Sequence, residues 1–267
     1  MAGIVICGAA GRMGRSLVQA VCEQGAALGG AIEHQGHTAL GEDAGVLAGR
    51  SPLGVKLSDD VAAVFAQAEV IIDFSLPGPT MEHVAVARML KRPMVIGTTG
   101  FDGRQRERLR EAGEDIAMLV SGNFSVGVTI SLDLLARASR AFAETVDVEI
   151  IEAHHRHKID APSGTALMMG ETIAQARSQQ LDEILVHGRE GRTGERPTGQ
   201  IGMHAVRGGD VVGDHQVWFI GEGERLEIRH IATSRMNFAH GAVRAALWLQ
   251  GRAPGHYSMR DVLDLQD

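Results

Sequence analysis

Short apolar segments alternate with longer amphipathic segments through the first 125 or so residues of this chain. This alternation constrains the fold most, because strands separated by helices form a parallel sheet that helices cover on both faces. We therefore expect an α/β protein with a doubly wound parallel sheet. The predicted strands are Ile4 to Cys7, Ala27 to Glu33, Val70 to Phe74, Met94 to Ile96 and Ala117 to Val120, and the predicted helices are Arg12 to Glu23, Asp59 to Ala68, Pro79 to Leu90 and Gly103 to Ala112.

The later part of the chain predicts a second, α+β domain. Three β-like segments separated by glycines indicate neighbouring strands of a mostly antiparallel sheet. The amphipathic helix predicted at Phe238 to Gln250 could return to the first domain. We predict domains of residues 1–125 plus 235–267 and of residues 126–234. The elements behind this division are an irregular connection at His34 to Pro52, an exit at Gly122 to Gly127, a helix at Val128 to Phe142, a strand at Val146 to Ala153, a helix starting near Gly164, a loop at His187 to Pro197, and strands at Ile201 to Val206, Val211 to Ile220 and Arg225 to Ile231.

Composition excludes several classes of protein. The formal net charge of -7 argues against a general nucleic-acid binder, which needs a basic face to neutralise phosphates. No uncharged apolar segment approaches the length of a membrane span, and no basic leader precedes the first apolar strand, so we expect a cytoplasmic protein without a membrane partner. Cys7 and Cys22 are expected to be core residues rather than a disulfide or a metal-binding pair.

A glycine turn follows the first predicted strand and leads into the first predicted helix. Gly8, Gly11 and Gly14 can provide the tight turn, the close backbone approach and the helix packing of a dinucleotide site, where a pyrophosphate meets the helix N-terminus. Their spacing is G-x-x-G-x-x-G rather than the commoner G-x-G-x-x-G. The competing interpretation is a packed strand–helix turn without a ligand.

An acidic residue ends the second predicted strand. Glu33 stands at about the distance from the glycines at which a carboxylate binds the adenosine ribose hydroxyls, and it would repel the 2′-phosphate of NADP. Arg12 could partly offset this repulsion by pairing with a phosphate. The alternative is an acidic strand end that only meets solvent.

Two further predicted strands end in small polar residues, Gly97-Thr98-Thr99-Gly100 and Ser121-Gly122-Asn123-Phe124. Ligands of open α/β sheets lie beyond the carboxyl ends of the strands, so these loops are placed to meet the ribose and nicotinamide of a cofactor. Either loop alone would be a common turn. Asp73-Phe74-Ser75 is a weaker candidate of the same kind.

A run of basic side chains ends the strand of the second domain, in Glu152-Ala153-His154-His155-Arg156-His157-Lys158. The cluster could be a polar surface, a metal site or a proton-transfer site. If the chain stays extended, His155 and His157 face one way and His154 and Lys158 the other, which makes a three-histidine metal site awkward. The neighbouring cations favour release of a proton from the Lys158 ammonium near neutrality.

A helix start follows this cluster. Ser163-Gly164-Thr165 fits the first turn of the helix that includes Ala166 to Met169, where free N–H groups and the two hydroxyls would bind a carboxylate. Simple capping of the helix by Ser163 is the alternative.

These residues carry a resemblance to a known family. Glu152 to Lys158 together with Asp160 to Ala166 resembles the signature of the dihydrodipicolinate reductases, now named 4-hydroxy-tetrahydrodipicolinate reductases, of the diaminopimelate route to lysine. The resemblance extends to Gly8 to Gly14, Gly97 to Thr99, Ser121 to Phe124 and Arg207 to Gly213, and so covers essentially the whole chain.

The resemblance implies an N-terminal Rossmann domain completed by the last helix, and a substrate domain whose sheet also forms a homotetramer. It implies hydride transfer from NAD(P)H, proton donation and loss of water to give tetrahydrodipicolinate from a small dicarboxylate substrate. It further implies His154 as the acid/base, Lys158 as the proton donor, His155, Gly164 and Thr165 as carboxylate-binding residues, and cofactor contacts at Gly8, Ala9, Ala10, Gly11, Arg12, Met13, Glu33, Gly97, Thr98, Thr99, Ser121, Gly122, Asn123 and Phe124.

One departure from the family pattern bears on the cofactor. Members that use NADPH well often carry an arginine directly after the acidic residue, whereas this chain has His34. A neutral imidazole would hold a 2′-phosphate less well than a guanidinium, so we expect NADH to be preferred, with NADPH possible. The competing functions are another two-domain NAD(P)-dependent oxidoreductase acting on a small anionic metabolite, and a dinucleotide-binding sensor without turnover.

Overall fold

The chain folds into two compact units in the computed structural model, which describes residues 3–265. One unit extends through Val126 and resumes at Met236, and the other is Gly127–Arg235. Among the described residues, no helix combines the length and apolar character needed to cross a bilayer.

The regular elements are numbered here in chain order. The strands are β1 Gly3–Cys7, β2 Leu28–Ile32, β3 Leu57–Ser58, β4 Ala68–Asp73, β5 Met94–Ile96, β6 Ala117–Val120, β7 Asp147–His154, β8 Leu185–His187, β9 Ile201–Arg207, β10 Gly213–Ile220, β11 Arg225–Ala232 and β12 Gly255–Tyr257. The helices are α1 Arg12–Glu23, α2 Ala44–Leu47, α3 Val61–Phe65, α4 Pro77–Met89, α5 Gly103–Ala112, α6 Val126–Phe142, α7 Gly164–Ala176, α8 Leu181–Ile184, α9 Met236–Leu249 and α10 Met259–Val262.

The first unit is built on a seven-stranded sheet in the order β12-β6-β5-β4-β1-β2-β3. Every pairing in it is parallel, and β1 is buried along its whole length. One buried cluster packs α1 and α9 against the sheet, and another packs α4 and α5 on it. The predicted α/β class with a doubly wound parallel sheet is confirmed.

Most predicted elements of this unit are found, and the differences have local causes. α3 is shorter than predicted because the Asp60 carboxylate caps its start, accepting the Ala63 N–H at 3.0 Å, and because β4 begins at Ala68. The connection predicted to be irregular contains α2, where the Asp43 carboxylate accepts N–H bonds from Gly45 and Val46. β3, β12 and α10 were not predicted, since elements of two to four residues show no periodicity.

The second unit carries a five-stranded sheet in the order β11-β10-β7-β9-β8. β10 pairs antiparallel with β11 and β7, whereas β9 pairs parallel with β7 and β8. The sheet is therefore mixed rather than mostly antiparallel, and β9 is separated from β10 by β7. The expectation that the three glycine-separated strands lie side by side was wrong for β9, because its register partners in β7 lie just over fifty residues earlier in the chain.

The last long helix, α9, packs in the first unit. Its alanines are buried with α1 and the central strands. A Cβ on Gly241 would collide with the carbonyl oxygen of Phe124, so this helix lies directly against the loop after β6. α9 thereby supports the carboxyl end of the parallel sheet from one face.

Candidate active site

The glycine turn after β1 is tight and packs closely against the start of α1. The backbone of Gly8 is in the left-handed region, with φ +73. The N–H groups of Gly8 and Ala9 both donate to the Ile32 carbonyl oxygen, at 2.9 and 3.1 Å. Gly11 is the N-cap of α1 and supplies no side-chain cap, and a Cβ on Gly14 would collide with the Gly8 carbonyl. The first turn of α1 therefore lies close to the strand end, with its N–H groups uncapped by a side chain.

The Glu33 carboxylate is fixed at this turn. One oxygen accepts the Ala10 N–H at 3.1 Å and the other the His34 N–H at 3.0 Å. Arg12 is exposed at the start of α1, and Met13 is half-buried behind it. The structure thus brings the acidic strand end and the glycine turn together, so Glu33 is more than an acidic side chain in solvent.

The loop after β5 divides into an inward and an outward part. The Gly97 N–H donates to the Asp73 carbonyl at 2.8 Å, and a Cβ on Gly97 would collide with the ring of Phe74. Thr98 is buried, whereas Thr99 is exposed. The side chain of Thr99 and the backbone of the loop remain for a ligand, while the hydroxyl of Thr98 points into the core.

That inward hydroxyl belongs to a polar network around a buried carboxylate. Asp73 accepts bonds from the Ser75 hydroxyl at 2.6 Å and from His83 Nδ1 at 2.6 Å, and Thr80 Oγ1 bridges to Thr98 Oγ1 at 2.9 Å. Burial acts to raise the pKa of Asp73, but the bonds from His83 and Ser75 outweigh it and leave the pKa lowered. The network fixes the loop from beneath.

Cys7, Asp73 and His83 lie close enough together to be considered as metal ligands. Burial, and then the charge of Asp73, raise the pKa of the Cys7 thiol well above its ordinary value, which keeps it protonated and a poor ligand. The Asp73 carboxylate is already bonded to His83. We therefore interpret the cluster as a hydrogen-bonded part of the core.

The loop after β6 is held by its own polar groups. Ser121 Oγ donates to the Asn123 carbonyl at 2.7 Å and accepts the Asn123 N–H at 3.2 Å. Phe124 is buried, with its ring 5.5 Å from that of Phe74, while Gly122 is exposed. The loops after β5 and β6 thus present Gly122 and backbone groups at the carboxyl edge of the sheet, where α/β proteins bind ligands.

A cavity of about 460 Å³ opens beside these two loops. Its walls come from the loops themselves, from α5 and from β12. The lining residues are Thr98, Thr99, Gly100, Phe101, Arg106, Leu109, Arg110, Val120, Gly122 and His256.

The second unit contains a buried carboxylate at the end of β7. Glu152 is fully buried and accepts bonds from His154 Nδ1 at 2.7 Å, from both Nη groups of Arg207 at 2.7 Å, and from the Ser163 N–H at 3.0 Å. Burial acts to raise the pKa of Glu152, but the bonds from Arg207, His154 and Ser163 hold it below its ordinary value. The residue therefore carries a full negative charge beneath the predicted proton-transfer histidine.

His215 of β10 lies next to this group. Its Nε2 is 2.9 Å from Ser163 Oγ, and its ring is 5.1 Å from that of His154. Desolvation, and then the charge of His154, lower the pKa of His215 to about 4. His215 is therefore neutral at physiological pH and acts as a hydrogen-bonding partner of Ser163.

The basic cluster is not extended beyond His154, where β7 ends. The Lys158 N–H donates to the His155 carbonyl at 3.1 Å and closes a turn, so the extended conformation on which the alternation of these side chains depended is not present. Lys158 Nζ donates to both oxygens of Asp160 at 2.9 and 2.8 Å. Arg207 joins this turn to the end of β7, since it bonds to the Glu152 carboxylate and also donates to the Asp160 carbonyl at 2.7 Å.

His155 lies beside a cation that the sequence did not suggest. Arg235 Nη2 is 3.4 Å from His155 Nε2. Desolvation, and then the positive charge of Arg235, lower the pKa of His155 below its ordinary value. A neutral imidazole beside a guanidinium can bind an anionic group through hydrogen bonds from both.

α7 begins where the sequence predicted. Ser163 is its N-cap, with Oγ accepting the Ala166 N–H at 3.2 Å, so the capping alternative is realised. A Cβ on Gly164 would meet open space, and Thr165 follows it in the first turn. Glu152 accepts the Ser163 N–H and the Ser163 hydroxyl accepts that of Ala166, and Gly164 and Thr165 stand between these two residues in the first turn of α7.

Comparison with known proteins decides the family. A profile described as dihydrodipicolinate reductase, N-terminus, matches residues 2–124, and one described as dihydrodipicolinate reductase, C-terminus, matches residues 127–263. The chain belongs to the dihydrodipicolinate reductase family. It is 53% identical over 264 residues to a 4-hydroxy-tetrahydrodipicolinate reductase of Acinetobacter baumannii (strain AYE), covering 99% of this chain and 97% of that one. It is 55% identical over 267 residues to the enzyme of that name from Pseudomonas fluorescens (strain SBW25), covering 99% and 100%.

Solved structures support the fold of this dihydrodipicolinate reductase family member. A dipicolinate-bound dihydrodipicolinate reductase from Paenisporosarcina sp. TG-14 superposes with a TM-score of 0.77 at 24% identity over 98% of each chain. An amine dehydrogenase from Mycobacterium smegmatis gives a TM-score of 0.61 at 12% identity, covering 96% of this chain and 95% of that one. The fold of this chain is thus similar to that of the amine dehydrogenase.

Several residues around the candidate site of this reductase family member escaped the sequence analysis. Arg207 and His215 reach Glu152 and Ser163 from strands more than fifty residues along the chain. Thr80 and His83 were missed as well, although polar residues three apart on the buried face of α4 were a usable signal. No sequence pattern singled out Arg235.

Proposed function

We propose that this chain is a 4-hydroxy-tetrahydrodipicolinate reductase acting on the diaminopimelate route to lysine. In this reaction the substrate gains a hydride from NAD(P)H and a proton and loses water, giving tetrahydrodipicolinate and NAD(P)⁺. The observation that carries the proposal is the arrangement in the second unit, where Glu152 joins His154 to the N-cap residue of α7 and Lys158 lies in the turn directly after His154. Membership of the reductase family supports it.

The first unit would hold the pyridine nucleotide. The left-handed Gly8 and the absence of a side-chain cap at Gly11 leave room for a pyrophosphate at α1, as a fitted cofactor requires. Gly8 to Met13 would contact the phosphates, Glu33 the adenosine ribose, and the backbone of Gly97 to Thr99 and of Ser121 to Phe124 the nicotinamide side. When bound, the nicotinamide supplies the hydride.

We propose a preference for NADH, with NADPH still accepted. The Glu33 carboxylate is tied to the glycine turn by Ala10 and so cannot easily swing away from an incoming 2′-phosphate. His34 is exposed next to it, and its Nδ1 lies 3.0 Å from the Gln35 carbonyl. His34 therefore does not offer a 2′-phosphate the permanently charged, bidentate donor group that an arginine would.

Two residues of the second unit would handle the proton. The Glu152 carboxylate can only accept, so neutral His154 carries its proton on Nδ1 and presents Nε2 as an acceptor. Lys158 holds its ammonium against Asp160, ready to donate to a substrate that displaces this carboxylate. We propose Lys158 as the proton donor to the substrate and His154 as its acid/base partner.

The substrate's carboxylates would be bound by neutral and cationic donors of the same unit. We assign one to the N–H groups of Gly164 and Thr165 at the start of α7, where the helix dipole favours an anion. The other would meet His155, whose neighbour Arg235 adds a positive charge. A small dicarboxylate fits this pair of sites.

We also propose a homotetramer in the cytoplasm. β11 is the edge strand of the mixed sheet and exposes Leu226 and Ile231, and an exposed apolar edge of this kind calls for a partner. Cys7 and Cys22 are both free, as a reducing compartment would keep them.

A coupled absorbance assay tests the function. The purified protein should oxidise NADH when substrate is generated in the cuvette, and should oxidise NADPH with lower kcat/KM. Oxidation with another small anionic metabolite but not with this substrate would instead favour a different two-domain oxidoreductase. NADH binding without any oxidation would favour a sensor.

A further inference from the structure

Glu152 connects three parts of the second unit through one carboxylate. One oxygen accepts the Ser163 N–H and Arg207 Nη2, and the other accepts Arg207 Nη1 and His154 Nδ1. The side chain has no exposed surface. All four partners are donors, so the position of each proton in the group is determined.

We propose that Glu152 is a positioning residue for the reaction, which sets the tautomer of His154 and thereby leaves Nε2 as the proton acceptor toward the substrate. The proposal rests on the proposed reductase function. Glu152 itself is buried and acts only through His154. Its second role is to align the Ser163 end of α7 with the same histidine, since both bond to one carboxylate.

The amide isostere separates these two roles. In Glu152→Gln the amide oxygen must take the place that faces the Ser163 N–H and Arg207 Nη2, because an NH₂ there would meet two donors. The NH₂ group then faces Arg207 Nη1, whose hydrogen bond is lost, and His154 Nδ1, which can bond to it only as an acceptor. The proton of His154 is therefore driven to Nε2, while the start of α7 keeps its hydrogen bond.

The same strand offers a matched control. Glu149 also joins an imidazole to guanidinium groups, with His204 Nε2 at 2.7 Å, Arg189 Nη1 at 2.9 Å and Arg196 Nε at 3.2 Å. Glu149→Gln removes a paired carboxylate from β7 without touching Glu152 or His154. It should retain wild-type kcat.

The tautomer can be measured by solid-state NMR of protein labelled with ¹⁵N-histidine, a method that particle size does not limit. The chain has twelve histidines, so the His154 signals are assigned by their loss in His154→Gln. We expect the neutral wild-type ring at pH 8 to be protonated on Nδ1, and the ring of Glu152→Gln to be protonated on Nε2. Glu149→Gln should leave the wild-type pattern.

Kinetics supply the second readout. We expect Glu152→Gln to lower kcat by about 100-fold or more, the size expected when a general acid–base group is misprotonated, with little change in KM and none in NADH binding. A wild-type His154 protonated on Nε2 would overturn the proposal without any variant, as would unchanged kcat in folded Glu152→Gln. If the wild type turned over no substrate, the proposed function would fail, and the tautomer result would still stand or fall separately.

Discussion

At the scale of single residues, the two side chains proposed to transfer the proton are held very differently. His154 is anchored to a buried carboxylate, whereas Lys158 pairs with Asp160, which is itself exposed. The bond to the buried carboxylate holds the His154 ring in one orientation. The exposed Asp160 carboxylate, in contrast, can be replaced by a substrate at little cost in free energy. This contrast suits a fixed base and a mobile proton donor.

Replacing the mobile donor should affect chemistry alone. Lys158→Ala removes the proposed proton donor, so we expect kcat to fall by a factor on the order of 100 to 10,000. NADH affinity, measured by fluorescence titration, should stay near normal because the cofactor would bind in the first unit. An active Lys158→Ala enzyme would rule out the assigned role.

His215 should make the free energy of unfolding depend on pH. Its folded pKa of about 4 lies below the ordinary 6.5, so the unfolded chain binds the extra proton between these values. The contribution of His215 to the free energy of unfolding is complete above about pH 6.5. It is lost as the pH falls toward 4, which lowers the free energy of unfolding by about 3 kcal/mol in total.

Urea unfolding at pH 8 and pH 5 measures this dependence. His215→Gln keeps a donor for Ser163 but does not titrate, so its loss of stability between the two pH values should be smaller than that of the wild type. An equal loss in both proteins would show that His215 is not the titrating group.

At the scale of elements, hydrogen bonds join the glycine turn between β1 and α1 to the end of β2. The carbonyl of Ile32 receives the N–H groups of Gly8 and Ala9, and Glu33 receives that of Ala10. If Glu33 selects the cofactor as proposed, selectivity depends on where β2 ends as well as on the glycines.

Neutralising this strand end should weaken the preference for NADH. Glu33→Gln removes about 1 kcal/mol of screened repulsion toward a 2′-phosphate, so the ratio of kcat/KM for NADH over NADPH should drop roughly fivefold. Glu23→Gln, at the far end of α1, removes the same charge and should leave the ratio unchanged. A ratio that does not move in Glu33→Gln would remove the carboxylate from cofactor selection.

Local patterns predicted the elements well where the sequence is periodic. α1 and α5 have their predicted bounds because one face of each is apolar and the neighbouring turns are marked by glycine or aspartate. The partner of β9 could not be predicted, since pairing across a long connection depends on tertiary packing. For the same reason the sequence contained the motif of Glu152 but not its bonds to Arg207 and His154.

At the scale of the whole molecule, the chain divides into two units with separate cores. The first presents the carboxyl edge of a parallel sheet, and the second presents a strand end and a helix start held by one carboxylate. Each unit holds its own candidate residues by hydrogen bonds within that unit, so the proposed cofactor binding and substrate binding can be tested by separate measurements.

The most direct test of the central claim is the stoichiometry and mass of the product. With NADH and freshly generated 4-hydroxy-tetrahydrodipicolinate, we expect one cofactor oxidised for each product molecule, and a product that lacks one oxygen atom of the substrate by mass spectrometry. Lys158→Ala should form that product far more slowly. Consumption of NADH without loss of the oxygen, or no consumption at all with active substrate, would contradict the account.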